Sequence, residues 1–511
     1  MKDKQLIINM TANILSFAIN LGINFIFTPY LIRTIGKEAY SFFPLANNFI
    51  GYVEIISVAL NSMASRFITI KIHEKNINDA NKYFNSVLTS NIVLSLILVV
   101  PASLFVVFID KILNVPEGII GDVKCLFAFV FLGMILNILT SVFGVATFTK
   151  NRLDLSSRRK IDSNIIKVAL LIILFSCFRA NVAYIAIANL AVSVFIILTN
   201  IHYTNKLMPE VSLNKKYFDL SCVKELLSSG IWNSVNRLSV VLLTGLDILI
   251  ANIFLSVSAA GEYSIVKTVP NFIQQLVIML VGVFVPQFTI LYAQKRNNEF
   301  LDCVNQSIKF MGLVMTIPIS FLIVFGDTFF SLWVPSENAS RLYLLSNLTI
   351  IPMIVTGSIN TIFNVYTVVN KLKVPALVLL LTGILKTSIV FILIKLTDWG
   401  ILIIPVTSFC IDLLTNLIFT PIYSARCLNV KWNTFYKAIA RGCICSVTMM
   451  LVCFLIKFNM NVDSWIELLF AGAVSSIISL GINIFIVFNQ KERKTIIENF
   501  MGFLPSKKYS H

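Results

Sequence analysis

Apolar stretches of about 18 to 27 residues recur along the whole chain, and each is long enough to cross a hydrocarbon core of roughly 30 Å. A chain built this way folds as membrane-spanning helices, because within lipid every backbone N–H and C=O must find its partner inside its own segment. Composition agrees. With 57% hydrophobic and 13% charged residues and a mean hydropathy of +0.85, the 511 residues carry too few charges to cover a soluble globule. The polar breaks mark about fourteen helices, the first near residues 6–31 and the last near 464–488. Connections between them are short and leave no room for a soluble catalytic domain.

The amino terminus sets basic residues before an apolar run too long for the h-region of a signal peptide, without an A-x-A-like cleavage site. It reads as a retained first span. Basic residues sort by side of the membrane. If the amino terminus is cytoplasmic, the inside segments hold clusters such as Lys150, Arg152, Arg158, Arg159 and Lys160, and Arg426, Lys431, Lys437 and Arg441, which together account for most of the 41 Lys and Arg. The expectation is a multi-pass protein of the bacterial inner membrane with both termini cytoplasmic. Its net charge of +16 follows from this asymmetry and points to membrane lipid, not nucleic acid, as the partner.

Catalysis is not expected. There is no G-x-x-x-x-G-K-[ST], the longest outside loops, around Asp110–Asp122 and Asp327–Arg341, contain no D-x-D, and the histidines are His73, His202 and His511 alone. The nine cysteines fall in or beside apolar segments, and the C-x-C of Cys443 and Cys445 has no histidine near it. They read as small buried hydrophobes, with no metal or other cofactor called for.

An internal repeat emerges when the first half is slid over the second. At an offset of about 223, Tyr40, Ser41, Asn48, Phe49 and Ile50 meet Tyr263, Ser264, Asn271, Phe272 and Ile273. Further on, Ser65–Asn76 resembles Pro286–Asn297. Each unit then holds six spans, an even number, so both halves point the same way through the membrane. The chain divides into a first lobe over residues 1–204, a cytoplasmic linker at 205–227, a second lobe at 228–423, two extra helices in 424–488 and a basic cytoplasmic tail at 489–511.

Polarity concentrates on four helices that the repeat makes equivalent. Helix 1 aligns Asn9, Asn13, Ser16, Asn20 and Asn24 on one face, and helix 2 aligns Asn47, Gly51, Glu54, Asn61 and Ser65, ending beside Arg66. Helix 7 carries Asn233, Asn236, Arg237, Thr244 and Asp247; helix 8 carries Ser264, Lys267, Asn271 and Gln274. Such residues serve either as interhelical hydrogen-bonding glue or as the lining of a wet cavity. Four stripes in repeat-related positions favour the cavity. Arg237 and Lys267 lie on the stripes, so an anion-attracting chamber is expected there. For Lys124, Lys167, Lys309 and Lys386, snorkelling or local pairing serves equally well. Asp247 and Asp412 are candidates for coupling to Na⁺ or a proton, although pairing with a nearby cation explains them as well.

The opening stretch, a polar-striped helix running into FTPYLIRTIGKEAYS and then a helix ending SMASRF before a basic loop, resembles the Wzx-type flippases. Its local motif is P-x-L-x-x-x-x-G-x-E-x-Y from Pro29 to Tyr40, and span count and repeat extend the resemblance over the whole chain. These flippases belong to the multidrug/oligosaccharidyl-lipid/polysaccharide (MOP) exporter superfamily. The resemblance implies a MATE-like all-α fold of two pseudo-symmetric six-helix lobes plus two C-terminal helices. It also implies outward movement of an undecaprenyl-pyrophosphate-linked repeat unit, for O-antigen, capsule or exopolysaccharide, by alternating access, with a polysaccharide polymerase as a candidate partner. An ion-coupled multidrug exporter of the same superfamily and a lipid II flippase are the alternatives.

Overall fold

A computed structural model describes the backbone of residues 2–488, with Gln490 and Arg493, and side chains from Leu15 onward. The expected tail at 489–511 is otherwise outside the described residues, as are the side chains of Asn9 and Asn13. Every described regular element is helical. The main helices are α1 (Lys2–Ile35), α2 (Lys37–His73), α3 (Ile77–Val107), α4 (Glu117–Thr149), α5 (Leu153–Cys177), α6 (Ala183–Leu207) and α7 (Leu220–Gly245 and Asp247–Leu255). They continue with α8 (Val257–Ala293), α9 (Asn297–Trp333), α10 (Ala339–Ile359), α11 (Lys373–Leu396), α12 (Gly400–Cys427), α13 (Tyr436–Asn459) and α14 (Trp465–Val487).

Each span expected from hydropathy has a helical counterpart. Twelve of the described helices are long and apolar enough to cross a membrane, and α7 becomes a thirteenth if its two bent segments count as one span. The remaining helix, α5, is diluted by Asp154, Arg158, Arg159, Lys160, Asp162 and Lys167.

Turns carry the clearest trace of the repeat. The helical segments that close at His73 (α2), Thr149 (α4), Ala293 (α8), Val368 (the short helix Ile362–Val368 after α10) and Cys427 (α12) are each followed by a residue of positive φ: Lys75, Asn151, Lys295, Asn370 and Asn429. At each, the next backbone N–H reaches back five residues, as Asn76 to Lys71 and Arg296 to Leu291 do, capping the carbonyls that a helix terminus leaves free. The turns at Lys75 and Lys295 lie 220 residues apart (295 − 75) and those at Asn151 and Asn370 lie 219 apart (370 − 151). Between α1 and α2 a single residue suffices, because Gly36 takes a φ of 82° that a side chain would disfavour.

The chain packs as two compact units. The first comprises Met1–Ile265 and Lys373–Ile403; its apolar core joins Leu60, Ile68, Phe84, Phe143, Cys222 and Leu226. Here α2 lies against α3, α4 and α7, while α11 lies against α7. The segment joining α6 to α7 is fastened to α3. Asn81 bonds both Glu210 and Ser212, Asn85 bonds Ser212 and Asn214, and Ser86 bonds the Asp219 backbone, all through buried side chains. Asp219 then caps α7 by accepting from Ser221, and those bonds hold its carboxyl below the usual carboxylate range.

The second unit comprises Val266–Leu372 and the chain from Ile404 on. Its core gathers Phe288, Phe300, Ile308, Ile359, Tyr366 and Phe435. Helix α9 is its axis, touching α10, α13 and α14. Gly312 and Gly442 meet at Ser358, where small residues let three helices approach closely.

Candidate functional site

The polar faces of α2 and α7 meet each other. The two helices run antiparallel with backbones in contact, since a Cβ on Gly230 would sit 1.9 Å from the Ala59 carbonyl oxygen. Around that contact Asn233 donates to Ser62 Oγ at 2.9 Å and Ser234 Oγ donates to the Ile55 carbonyl at 2.6 Å. Next along the seam the Arg237 guanidinium is paired with the Glu54 carboxylate, the side chains being 35% and 46% exposed. A side chain at Gly51 would lie 2.9 Å from Arg237 Nη2, so the glycine makes room for the guanidinium. Tyr52 closes the series by donating to the Gly245 carbonyl at 2.8 Å. From Gly230 to Gly245 the seam extends about 22 Å at helical rise, which is most of a hydrocarbon core.

The remaining predicted residues have different surroundings. Asn61 belongs to a network with Asn91 and Ser141 at 2.9–3.2 Å, joining α2 to α3 and α4. On α1, Asn24 donates to the carbonyl and side-chain oxygens of Asn20 at 2.8 and 2.9 Å, and both residues are half-buried. Arg66 is exposed near the end of α2. In the second unit Lys267 is half-buried, whereas Asn271 and Gln274 are exposed in the middle of α8, with Gln275 beside them. Asn236 and Thr244 are likewise exposed along α7.

The candidate ion-coupling acids part company. Asp247 is buried and bonds Lys386 Nζ at 2.8 Å through Oδ1, while Tyr263 donates to Oδ2 at 3.4 Å. Asp412 on α12 is half-buried, and its carbonyl accepts the Asn416 amide. Of the cations read as snorkelling or paired, Lys386 is paired inside the protein and Lys124 bonds Asp110 at 2.7 Å, lowering that carboxyl. Lys167 lies over the Phe43 ring at 5.8 Å.

Sequence reasoning identified the stripes but missed Ser62, Ser234, Tyr52, Gln275 and Gly230. Tyr52 faces the seam one residue from Gly51, and Gln275 adds to the exposed amides; both have the signal of polarity at membrane depth. Gly230 has none, because a lone glycine in an apolar helix does not announce a backbone contact.

Comparison with known proteins adds the following. Residues 6–291 match the family model described as polysaccharide biosynthesis protein. The chain is 29% identical over 499 residues to a Bacillus subtilis (strain 168) protein called uncharacterized membrane protein EpsK, covering 96% of this chain and 97% of that one. Among solved structures, an inward-facing multidrug resistance MATE family transporter of the MOP superfamily aligns with a TM-score of 0.65 at 13% identity, over 83% of this chain and 98% of its own. The lipid II flippase MurJ in an inward closed conformation aligns with a TM-score of 0.65 at 15% identity, over 94% and 99%. At such identities the likeness is one of fold: an all-α membrane protein built like MATE and MurJ.

Proposed function

The chain belongs to the polysaccharide biosynthesis protein family, and we propose that its task there is to carry an undecaprenyl-pyrophosphate-linked oligosaccharide from the cytoplasmic to the outer leaflet. The glycan is a repeat unit of O-antigen, capsule or exopolysaccharide. In this reading the sidedness of the basic residues sets both termini in the cytoplasm.

The observation that carries the proposal is a set of side chains that lipid would reject. Asn236 on α7 and Asn271, Gln274 and Gln275 on α8 are exposed in the middle of long apolar helices. An amide turned to hydrocarbon has no partner, so these positions call for water. A bulky polar glycan needs such a wet route. Arg237 supplies the charge for the pyrophosphate, which suits guanidinium donors well. Glu54 is the resident anion that the substrate replaces, and Asn20, Asn24, Asn61, Asn233, Lys267 and Arg66 are proposed as further contacts. The α2–α7 seam suits a part that opens and closes, being held by hydroxyl and amide bonds that water or sugar hydroxyls can replace. Asp412 remains the candidate for Na⁺ or proton coupling.

The test is deletion of the gene in its own host. The expected result is loss of surface polysaccharide with lipid-linked repeat units accumulating on the cytoplasmic side, restored by the wild-type gene. Intact polysaccharide together with new sensitivity to cationic dyes would move the protein to the drug exporters. Accumulation of lipid II with arrested wall synthesis would move it to the lipid II flippases.

A further inference from the structure

Helix α7 turns by 42° between Leu220–Gly245 and Asp247–Leu255. No proline lies in either segment. The helix instead widens to π-type turns at Val241–Gly245 and Ala251–Leu255, a recognised source of sharp bends. Side chains from other helices engage the backbone carbonyls around this break. Thr387 donates to Leu242 at 3.1 Å, Tyr52 donates to Gly245 at 2.8 Å, and Lys386 Nζ donates to Leu243. Lys386 also reaches the Asp247 carboxylate, so one ammonium ties both sides of the break. Its helix can come that close because a Cβ on Gly383 would lie only 2.8 Å from Leu242 Cβ.

An ion pair buried to 3% and 5% side-chain exposure is a poor way to gain stability, since desolvation offsets most of the attraction. What such a pair does well is select one geometry over others. We propose that Lys386 is a positioning residue of the transporter: through Asp247 and the Leu243 carbonyl it holds the bend of α7, and with it the aim of Arg237 ten residues earlier on the same helix. The proposal rests on the transport reading only for its export readout. It assigns Asp247 to the bend, not to an ion site, because both carboxylate oxygens already accept from side chains of the protein.

The experiment compares full-length wild type with Asp247→Asn, Lys386→Gln and the double variant Asp247→Asn/Lys386→Gln, whose amides can face one another without charge. Each is measured by hydrogen exchange of residues 241–255 in purified protein and by polysaccharide export in the deletion strain. Single variants are expected to speed exchange at the break and lower export by about tenfold, and the double variant to return export to at least about a third of wild type. Recovery of both readouts supports the positioning role. Single variants that lose export with unchanged exchange, or a double variant that regains slow exchange but not export, would overturn it, since the charge itself would then be used in the cycle. If the single variants do not accumulate, the double variant decides alone: export at or above that third supports the role and anything lower overturns it. Should deletion leave polysaccharide untouched, the transport reading fails, and hydrogen exchange still decides whether the pair holds the bend.

Discussion

Helix α7 carries two ion pairs ten residues apart, and they sit in opposite surroundings. Arg237 and Glu54 are 35% and 46% exposed, so the protein does not enclose the pair and its partners can be exchanged. Lys386 and Asp247 are 3% and 5% exposed, enclosed by Tyr263, Thr387 and the carbonyls of a broken helix. The same chemistry therefore supports two roles. An open pair costs little to separate and suits a substrate anion; a closed pair is costly to break and suits a fixed shape.

The largest expected effect tests the cost of breaking each pair. Lys386→Met leaves Asp247 buried without its cation and should lower stability by about 3–5 kcal/mol, whereas Arg237→Met at the open pair should cost under about 1 kcal/mol. Melting temperatures in detergent, read by size-exclusion chromatography after heating, check both. Equal losses would erase the distinction. Export should not follow that weighting, because both pairs are used in transport. Arg237→Ala and Lys267→Ala are expected to lower polysaccharide export by about tenfold at unchanged membrane abundance, with Arg237→Lys recovering part of it. Normal export in both alanine variants would remove the anion-binding role.

A smaller effect sharpens the same contrast. A methyl at Gly51 meets the mobile end of Arg237, so Gly51→Ala should push the guanidinium from Glu54 and change export by about threefold, with little loss of protein. Gly383→Ala meets the Cβ of Leu242 instead, which cannot swing away, and should reduce abundance more than Gly51→Ala does. Quantitative immunoblots of membranes decide between them, and the reverse order would break the comparison.

Much of this architecture was legible in the chain. Among the described residues apolar length located the twelve helices long and apolar enough to span, or thirteen with the bent α7, because a span in lipid is a long-run property that single residues do not overturn. The two Tyr-Ser pairs that the repeat aligns have like surroundings, Tyr40 with Ser41 and Tyr263 with Ser264 being buried alike near the starts of α2 and α8. Partners were not legible. The stripe of α2 gave Glu54 and Asn61 the same standing, yet Glu54 meets Arg237 while Asn61 turns to Asn91 and Ser141. Periodicity fixes a face within about a quarter turn, and which neighbour fills that face depends on packing far along the chain. Lys386 was undecided for the same reason, its acid being 139 residues away.

The last prediction changes chemistry at single positions and reads access to water, not transport. In the transport reading the exposed amides of Asn236 on α7 and of Asn271 and Gln274 on α8 border water, whereas an exposed apolar residue such as Leu381 on α11 borders lipid. Thiols ionise in water and not in hydrocarbon, so a charged maleimide separates the two environments. With the exposed native thiols Cys125, Cys177 and Cys410 replaced by serine, Asn236→Cys, Asn271→Cys and Gln274→Cys should react about tenfold faster than Leu381→Cys in intact membranes. Prior addition of the lipid-linked oligosaccharide should slow the first three alone. Equal rates at all four positions would mean that the amides face the same medium as the leucine, and Arg237 would then have no aqueous path by which to meet a pyrophosphate.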